Sequence, residues 1–137
     1  MINVIVVTHG VFGQSLIEAA ENIIGAHSGV EFVSVSAKAS VEEIRAAVQG
    51  AVGRAQGGEG LIILTDMLGG TPTNVSFPLV KDAPQSAVIS GVNMNMLLSA
   101  LSYRGKLPLD RLKTKILEDG KKSVCDIKAL FAGAGKR

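Results

Sequence analysis

Hydrophobic positions along the chain switch between two periods. Ile2–Val7 is an apolar run interrupted only by Asn3, short and rich in β-branched residues, as in a strand buried on both faces. Phe12–Ile24 changes to helical spacing, with Leu16, Ile17, Ala20, Ile23 and Ile24 on one side and Gly25 placed to stop it. Val30–Val35 is a second strand. Ser40 and Glu43 form a capping-box pair opening a helix that carries Val41, Ile44, Ala47, Val48, Ala51 and Val52 on one side. Gly57-Gly58-Glu59-Gly60 breaks it, and Leu61–Leu64, wholly apolar, is a central third strand. Thr71-Pro72 joins a capping hydroxyl to a first-turn proline, and a short helix continues through Val75–Val80. Ala87–Ile89 is the fourth strand. Asn93–Tyr103 turns Met94, Leu97, Leu98 and Leu101 inward, and Leu109–Leu117 is an amphipathic helix ending near Gly120. Ser123–Ile127 reads as a short last strand, and the chain after Phe131 as loose.

Four strands separated by helices predict an α/β fold: an open, mostly parallel, doubly wound sheet of order 2-1-3-4 with helices on both faces. The last short strand is expected as an antiparallel edge. The 137 residues fit one domain, 1–130, with a loose tail at 131–137. With 47% apolar residues, four Phe, one Tyr and no Trp, the core must be built from Val, Ile, Leu and Ala. A net charge of +2, with late lysines interleaved by acids, gives no basic face for nucleic acid. No apolar stretch reaches the roughly 20 residues that span a bilayer. The N-terminus lacks a signal-peptide pattern. The single Cys125 excludes an internal disulfide and fits a reducing compartment, so a cytoplasmic location is expected.

Three segments carry candidate chemistry, each following a strand: Thr8-His9-Gly10, Thr65–Asn74 and Gly91-Val92-Asn93. Open α/β sheets bind ligands at the carboxyl ends of their strands, at the switch in strand order. In order 2-1-3-4 the first and third strands are neighbours across that switch, roughly 4.8 Å apart. His9 lies two residues past Val7 and Asp66 two past Leu64, close enough in height for one hydrogen bond. A carboxylate on Nδ1–H fixes the tautomer, leaves the Nε2 lone pair free and steadies positive charge on the ring. Gly69 and Gly70 let backbone approach a ligand, while a helix N-terminus at Thr71, with the hydroxyls of Thr71 and Thr73, offers anion donors. A histidine facing such a cradle is suited to carry a phosphoryl group. Thr8, Gly10, Met67, Leu68 and Asn93 are expected to line the site.

Singly, each element has a plainer role: a polar strand end, a turn aspartate, a loop with a helix cap. Their combination favours function. His27, in a turn at the opposite sheet edge, reads as a surface residue, and Met94 and Met96 as packing, although Met94 could also reach the site. Cys125 has no His or Cys close in sequence, so no metal site is expected. The glycine-rich 57–60 stretch precedes a strand, the wrong polarity for a dinucleotide fingerprint, and no P-loop motif occurs.

With Val7-Thr8-His9-Gly10, Leu16–Glu21, Thr65–Asn74 and Gly91–Leu97, the chain resembles the enzyme IIA component of the mannose-type (mannose/fructose/sorbose) phosphoenolpyruvate-dependent sugar phosphotransferase system, over essentially its whole length. The resemblance implies that His9 accepts a phosphoryl group on Nε2 from the carrier HPr. It passes that group to a IIB component, which serves the membrane IIC/IID complex. Asp66 matches the histidine's partner and Thr71 the hydroxyl of the phosphate loop. Homodimers are implied, with Ser123–Ile127 crossing to the partner's sheet, and no cofactor. Asn95 stands where the family often has proline, and a IIB component on a separate chain is expected, since residues 1–137 hold no Ala/Pro-rich linker. Three other readings stay open at this point: a regulatory phospho-switch, the phosphotransferase subunit of a dihydroxyacetone kinase, and a flavodoxin-like binder of a phosphate-bearing cofactor. The scarcity of aromatic residues weighs against a flavin.

Overall fold

The computed structural model describes residues 1–134. In chain order the elements are β1 (Asn3–His9), α1 (Phe12–Ile24), β2 (Val30–Val35), α2 (Val41–Arg54), β3 (Leu61–Thr65), α3 (Thr71–Val80), β4 (Ser86–Ile89), α4 (Met94–Tyr103), α5 (Leu109–Lys122) and α6 (Ile127–Ala134). The four strands form one parallel sheet ordered β2-β1-β3-β4, the expected order.

Alternation along the strands divides the core in two. Ile2, Val4 and Val6 of the β1 segment join Ile62 and Leu64 of β3 under α1, α4 and α5, against Ile17, Ala20, Leu97, Leu112 and Ile116. Ile5 and Val7 join Leu61 and Ile63 on the other face, under α2 and α3, against Ile44, Val48, Ala51, Val75 and Val80. Val6, Val7, Ile62, Ile63 and Leu64 are fully buried. Each side chain so enclosed stabilises the fold by roughly 1.5–3 kcal/mol relative to exposure. Parity then places the site: His9 shares the α2/α3 side with Ile5 and Val7, and Thr8 shares the α1 side with Val4 and Val6.

Local chemistry explains the ends. Ser40 and Glu43 make the full reciprocal capping box at α2. β1 runs two residues beyond Val7, because His9 still pairs with Val35 of β2 and Gly10 N–H donates to the Val35 carbonyl at 2.9 Å. Gly10 (φ 53°) then turns the chain into α1.

The structure corrects several expectations. Gly70, not Thr71, is the N-cap of α3; Thr71 and Pro72 are its first two residues. Gly120 does not stop α5, which continues to Lys122. A Cβ there would lie 2.4 Å from Met96 Cγ, so glycine permits close contact between α4 and α5. The segment expected as the strand Ser123–Ile127 is a turn leading into α6. Asp126 Oδ1 accepts from the Ala129 amide at 3.1 Å, and Leu130 N–H donates to the Asp126 carbonyl, which is the start of a helix. Of the tail expected at 131–137, residues 131–134 complete α6 and 135–137 lie outside the described residues.

Candidate functional site

His9 stands at the carboxyl end of β1 with its side chain half exposed. Asp66 follows β3, whose Thr65 pairs with Val7, and its side chain is largely buried. One oxygen, Oδ2, accepts twice from the same residue: from His9 Nδ1 at 2.7 Å and from His9 backbone N–H at 2.9 Å. Burial raises the Asp66 carboxyl pKa, but the bonds from the His9 backbone and ring, with the ring's Coulombic pull, outweigh it and hold the group below its ordinary value. An ionised carboxylate only accepts, so Nδ1 must carry a proton and the lone pair of the neutral ring sits on Nε2.

The loop after Asp66 wraps this ring. Gly69 takes φ 83°, which favours glycine. A Cβ on Gly70 would lie 3.1 Å from His9 Cε1 and 2.9 Å from Met67 Cγ, so bare backbone is the floor beneath the imidazole. Asn74 ties the loop back, its amide nitrogen donating to the Gly69 carbonyl at 3.3 Å. Thr71 and His9 line one cleft of about 610 Å³, walled by Gly10, Val11, Ser34, Ser36, Val41 and Ile44 among others. Among the described residues, none that lines it is Lys or Arg. The positive character available to an anion is therefore that of the α3 N-terminus. Pro72 has no N–H, so the amides of Thr71 and Thr73 are the first-turn donors without an intrahelical acceptor.

Not every residue expected here contributes. Thr8 is fully buried on the α1 side, where its Oγ1 accepts from Gly13 N–H at 2.7 Å. A Cβ at Gly13 would lie 3.0 Å from that oxygen, so threonine and glycine together seat α1 on the strand. Asn93 caps α4 by accepting from Met96 N–H and donates to the Gly120 carbonyl, joining α4 to α5. Thr73 donates its one hydroxyl proton to the Met67 carbonyl at 2.7 Å. It has none left for a ligand; only Thr71 among the expected hydroxyls faces the cleft uncommitted. Met67, Leu68, Val11 and Phe12 expose apolar surface on the segments that follow β3 and β1, Leu68 by 81%. Two contributors had no role assigned from the sequence. Thr65, on the α3 side of β3 by parity, hydrogen-bonds Thr73, and the wall formed by Val41 and Ile44 comes from the first turn of α2. Alternation from the apolar Ile63 would have placed Thr65. Among the described residues no three His, Cys, Asp or Glu side chains gather as metal ligands.

Residues 3–117 match the family described as PTS system fructose IIA component. The chain belongs to that family. It is 28% identical over 129 residues to the PTS system mannose-specific EIIAB component of Escherichia coli K12, covering 93% of this chain and 40% of that protein. The chain thus spans less than half the length of this relative. It is 28% identical over 112 residues to the PTS system fructose-specific EIIA component of Bacillus subtilis, covering 82% of this chain and 77% of that one. Among solved structures, the phosphotransferase system component EIIA of Streptococcus agalactiae superimposes with TM-score 0.86 at 31% identity, covering 94% of this chain and 99% of that one. The chain is a mannose-family EIIA component in sequence and in fold. Among the described residues no helix is long and apolar enough to cross a membrane.

Proposed function

We propose that this EIIA component is a phosphocarrier: His9 Nε2 accepts a phosphoryl group from phospho-HPr and delivers it to a IIB component. The observation that carries this reading is the His9–Asp66 pair set against the N-terminus of α3. The Nε2 lone pair attacks phosphorus in line as the donor's phosphorus–nitrogen bond breaks, its electron pair returning to the donor imidazole. His9 keeps its Nδ1 proton and becomes a phosphorylated, positively charged ring, which the Asp66 carboxylate stabilises. The Thr71 hydroxyl and the first-turn amides of α3 receive the equatorial oxygens. Delivery to IIB reverses these steps with a new acceptor. Both partners need the same atom, so both dock on one face, and the exposed Val11, Phe12, Met67 and Leu68 supply its apolar rim. IIB in turn serves the membrane components of sugar uptake.

Incubation with phosphoenolpyruvate, enzyme I and HPr should load one phosphate per chain in an acid-labile, base-stable bond. His9→Ala should load none. Labelling of His9→Ala at the wild-type level would overturn the proposal.

A further inference from the structure

The Thr73 hydroxyl lies at the centre of a short relay whose direction is fixed by proton counting. Its proton goes to the Met67 carbonyl, which can only accept, at 2.7 Å. The second bond, 2.7 Å to Thr65 Oγ1, must therefore be donated by Thr65. Thr65 is fully buried, and among the described residues its hydroxyl has no other hydrogen-bond partner. The two residues held, Thr65 and Met67, are the neighbours of Asp66 on either side. A single hydroxyl from the first turn of α3 thus holds the Met67 backbone on one side of the carboxylate and the Thr65 side chain on the other. Asp66 in turn holds His9 through one oxygen, with its other oxygen, Oδ1, buried and unpartnered. Both hydrogen bonds from His9 fall on Oδ2 and none on Oδ1, so the carboxylate's aim depends also on the loop that carries it. The other tie on the Met67 carbonyl is a long one, from Gly70 N–H at 3.4 Å.

We propose that Thr73 is a positioning residue for His9, acting through Met67 and Thr65 to set the carboxylate that orients the imidazole, and not a phosphate ligand. The proposal rests on the phosphocarrier reading for its kinetic consequence, but its structural half is measurable in the unphosphorylated protein. Removing the hydroxyl leaves the Thr65 proton without an acceptor and the Met67 carbonyl with only its long bond. The loop loosens, and the Nδ1–H···Asp66 bond opens more often.

The test compares the full-length wild type with Thr73→Val, Thr73→Ser and Thr71→Val. Nitrogen-15 NMR follows exchange of the His9 Nδ1 proton with water, and rapid-quench kinetics follow phosphoryl transfer from phospho-HPr. Thr73→Val should exchange the ring proton roughly three- to ten-fold faster and lower the maximal transfer rate by a similar factor, the scale of one lost hydrogen bond. Its KM for phospho-HPr should stay at the wild-type value. Thr73→Ser, which keeps the hydroxyl, should restore both readings. Thr71→Val should slow transfer without changing ring exchange. Should Thr73→Val fail to fold, Thr65→Val/Thr73→Val removes the buried donor together with its acceptor and carries the same measurements. Ring exchange at the wild-type rate in the valine variant overturns the proposal, as does a serine variant that behaves like valine. Failure of the wild type to take phosphate from phospho-HPr overturns the phosphocarrier reading instead, and leaves the ring measurement to decide on Thr73.

Discussion

Asp66→Asn removes a charge while keeping nearly the same shape, and the structure sets what that should cost. Asp66 Oδ2 accepts from both the His9 backbone and the ring. An asparagine can hold both donors only by placing its carbonyl oxygen there, which puts its NH₂ at the Oδ1 position, buried and without a partner. The backbone bond is the same before and during transfer and so does not alter the rate. The ring bond is different, because in the proposed transfer the imidazole gains positive charge as Nε2 is phosphorylated. A hydrogen bond to a charged group contributes about 1.5–3 kcal/mol and one between neutral groups about 0.5–1.5 kcal/mol. The difference, about 1–1.5 kcal/mol, predicts that transfer slows roughly five- to fifteen-fold at saturating phospho-HPr. Rapid-quench measurement over a range of donor concentrations separates this from docking. KM should stay close to wild type, since the Asp66 side chain is largely buried while the rim side chains are exposed. A maximal rate within two-fold of wild type, or a loss confined to KM, would refute the assignment of Asp66 as the group that stabilises the charged ring.

Four further outcomes are expected. Because the folded-state pKa of Asp66 lies below its ordinary 3.8, its ionised form adds stability above that value, and this contribution is lost as pH falls through the lower folded value. Urea melts should therefore show wild type more stable than Asp66→Asn at pH 7, with the gap closing in acid; a gap constant down to pH 2 would contradict this. Gly70→Ala places a methyl 3.1 Å from His9 Cε1 and 2.9 Å from Met67 Cγ. It should slow His9 labelling while leaving far-ultraviolet circular dichroism unchanged. Gly120→Ala places a methyl 2.4 Å from Met96 Cγ, and overpacking of about 1–3 kcal/mol should exceed the helix-propensity gain of about 1 kcal/mol. Calorimetry should show a lower Tm, largely recovered by Met96→Ala in the same chain. On α6, Ile127, Leu130 and Phe131 are exposed by 54–68%, and we propose this face as the contact of a homodimer. Light scattering should find a dimer that Leu130→Ser/Phe131→Ser converts to monomer with His9 labelling retained.

Strand order and the two core layers were legible because apolar runs and helical spacing rarely coincide in this chain. The meeting of His9 with Asp66 followed from that order alone. Legibility failed where a residue type serves two purposes. Thr8 and Asn93 looked like polar residues held for a ligand; strand parity and capping geometry use them for packing instead. Gly120 read as a stop, because its reason, the Met96 side chain, is 24 residues away in sequence. The residues 123–127 have strand-like character only when the cap at Asp126 is overlooked. Thr73 carried the right residue type for an anion donor, but its proton is committed by a carbonyl whose direction no sequence pattern reveals.

Among the described residues, the cleft at His9 has no arginine or lysine in its lining. A carrier must hand on what it receives, and every 1.4 kcal/mol of extra grip on the loaded form shifts the handover equilibrium ten-fold toward retention. A guanidinium fork would turn a way-station into a thermodynamic sink. In the proposed phosphocarrier, amide dipoles and one hydroxyl would give directional hold without a fixed countercharge, which suits a group that has to be passed on.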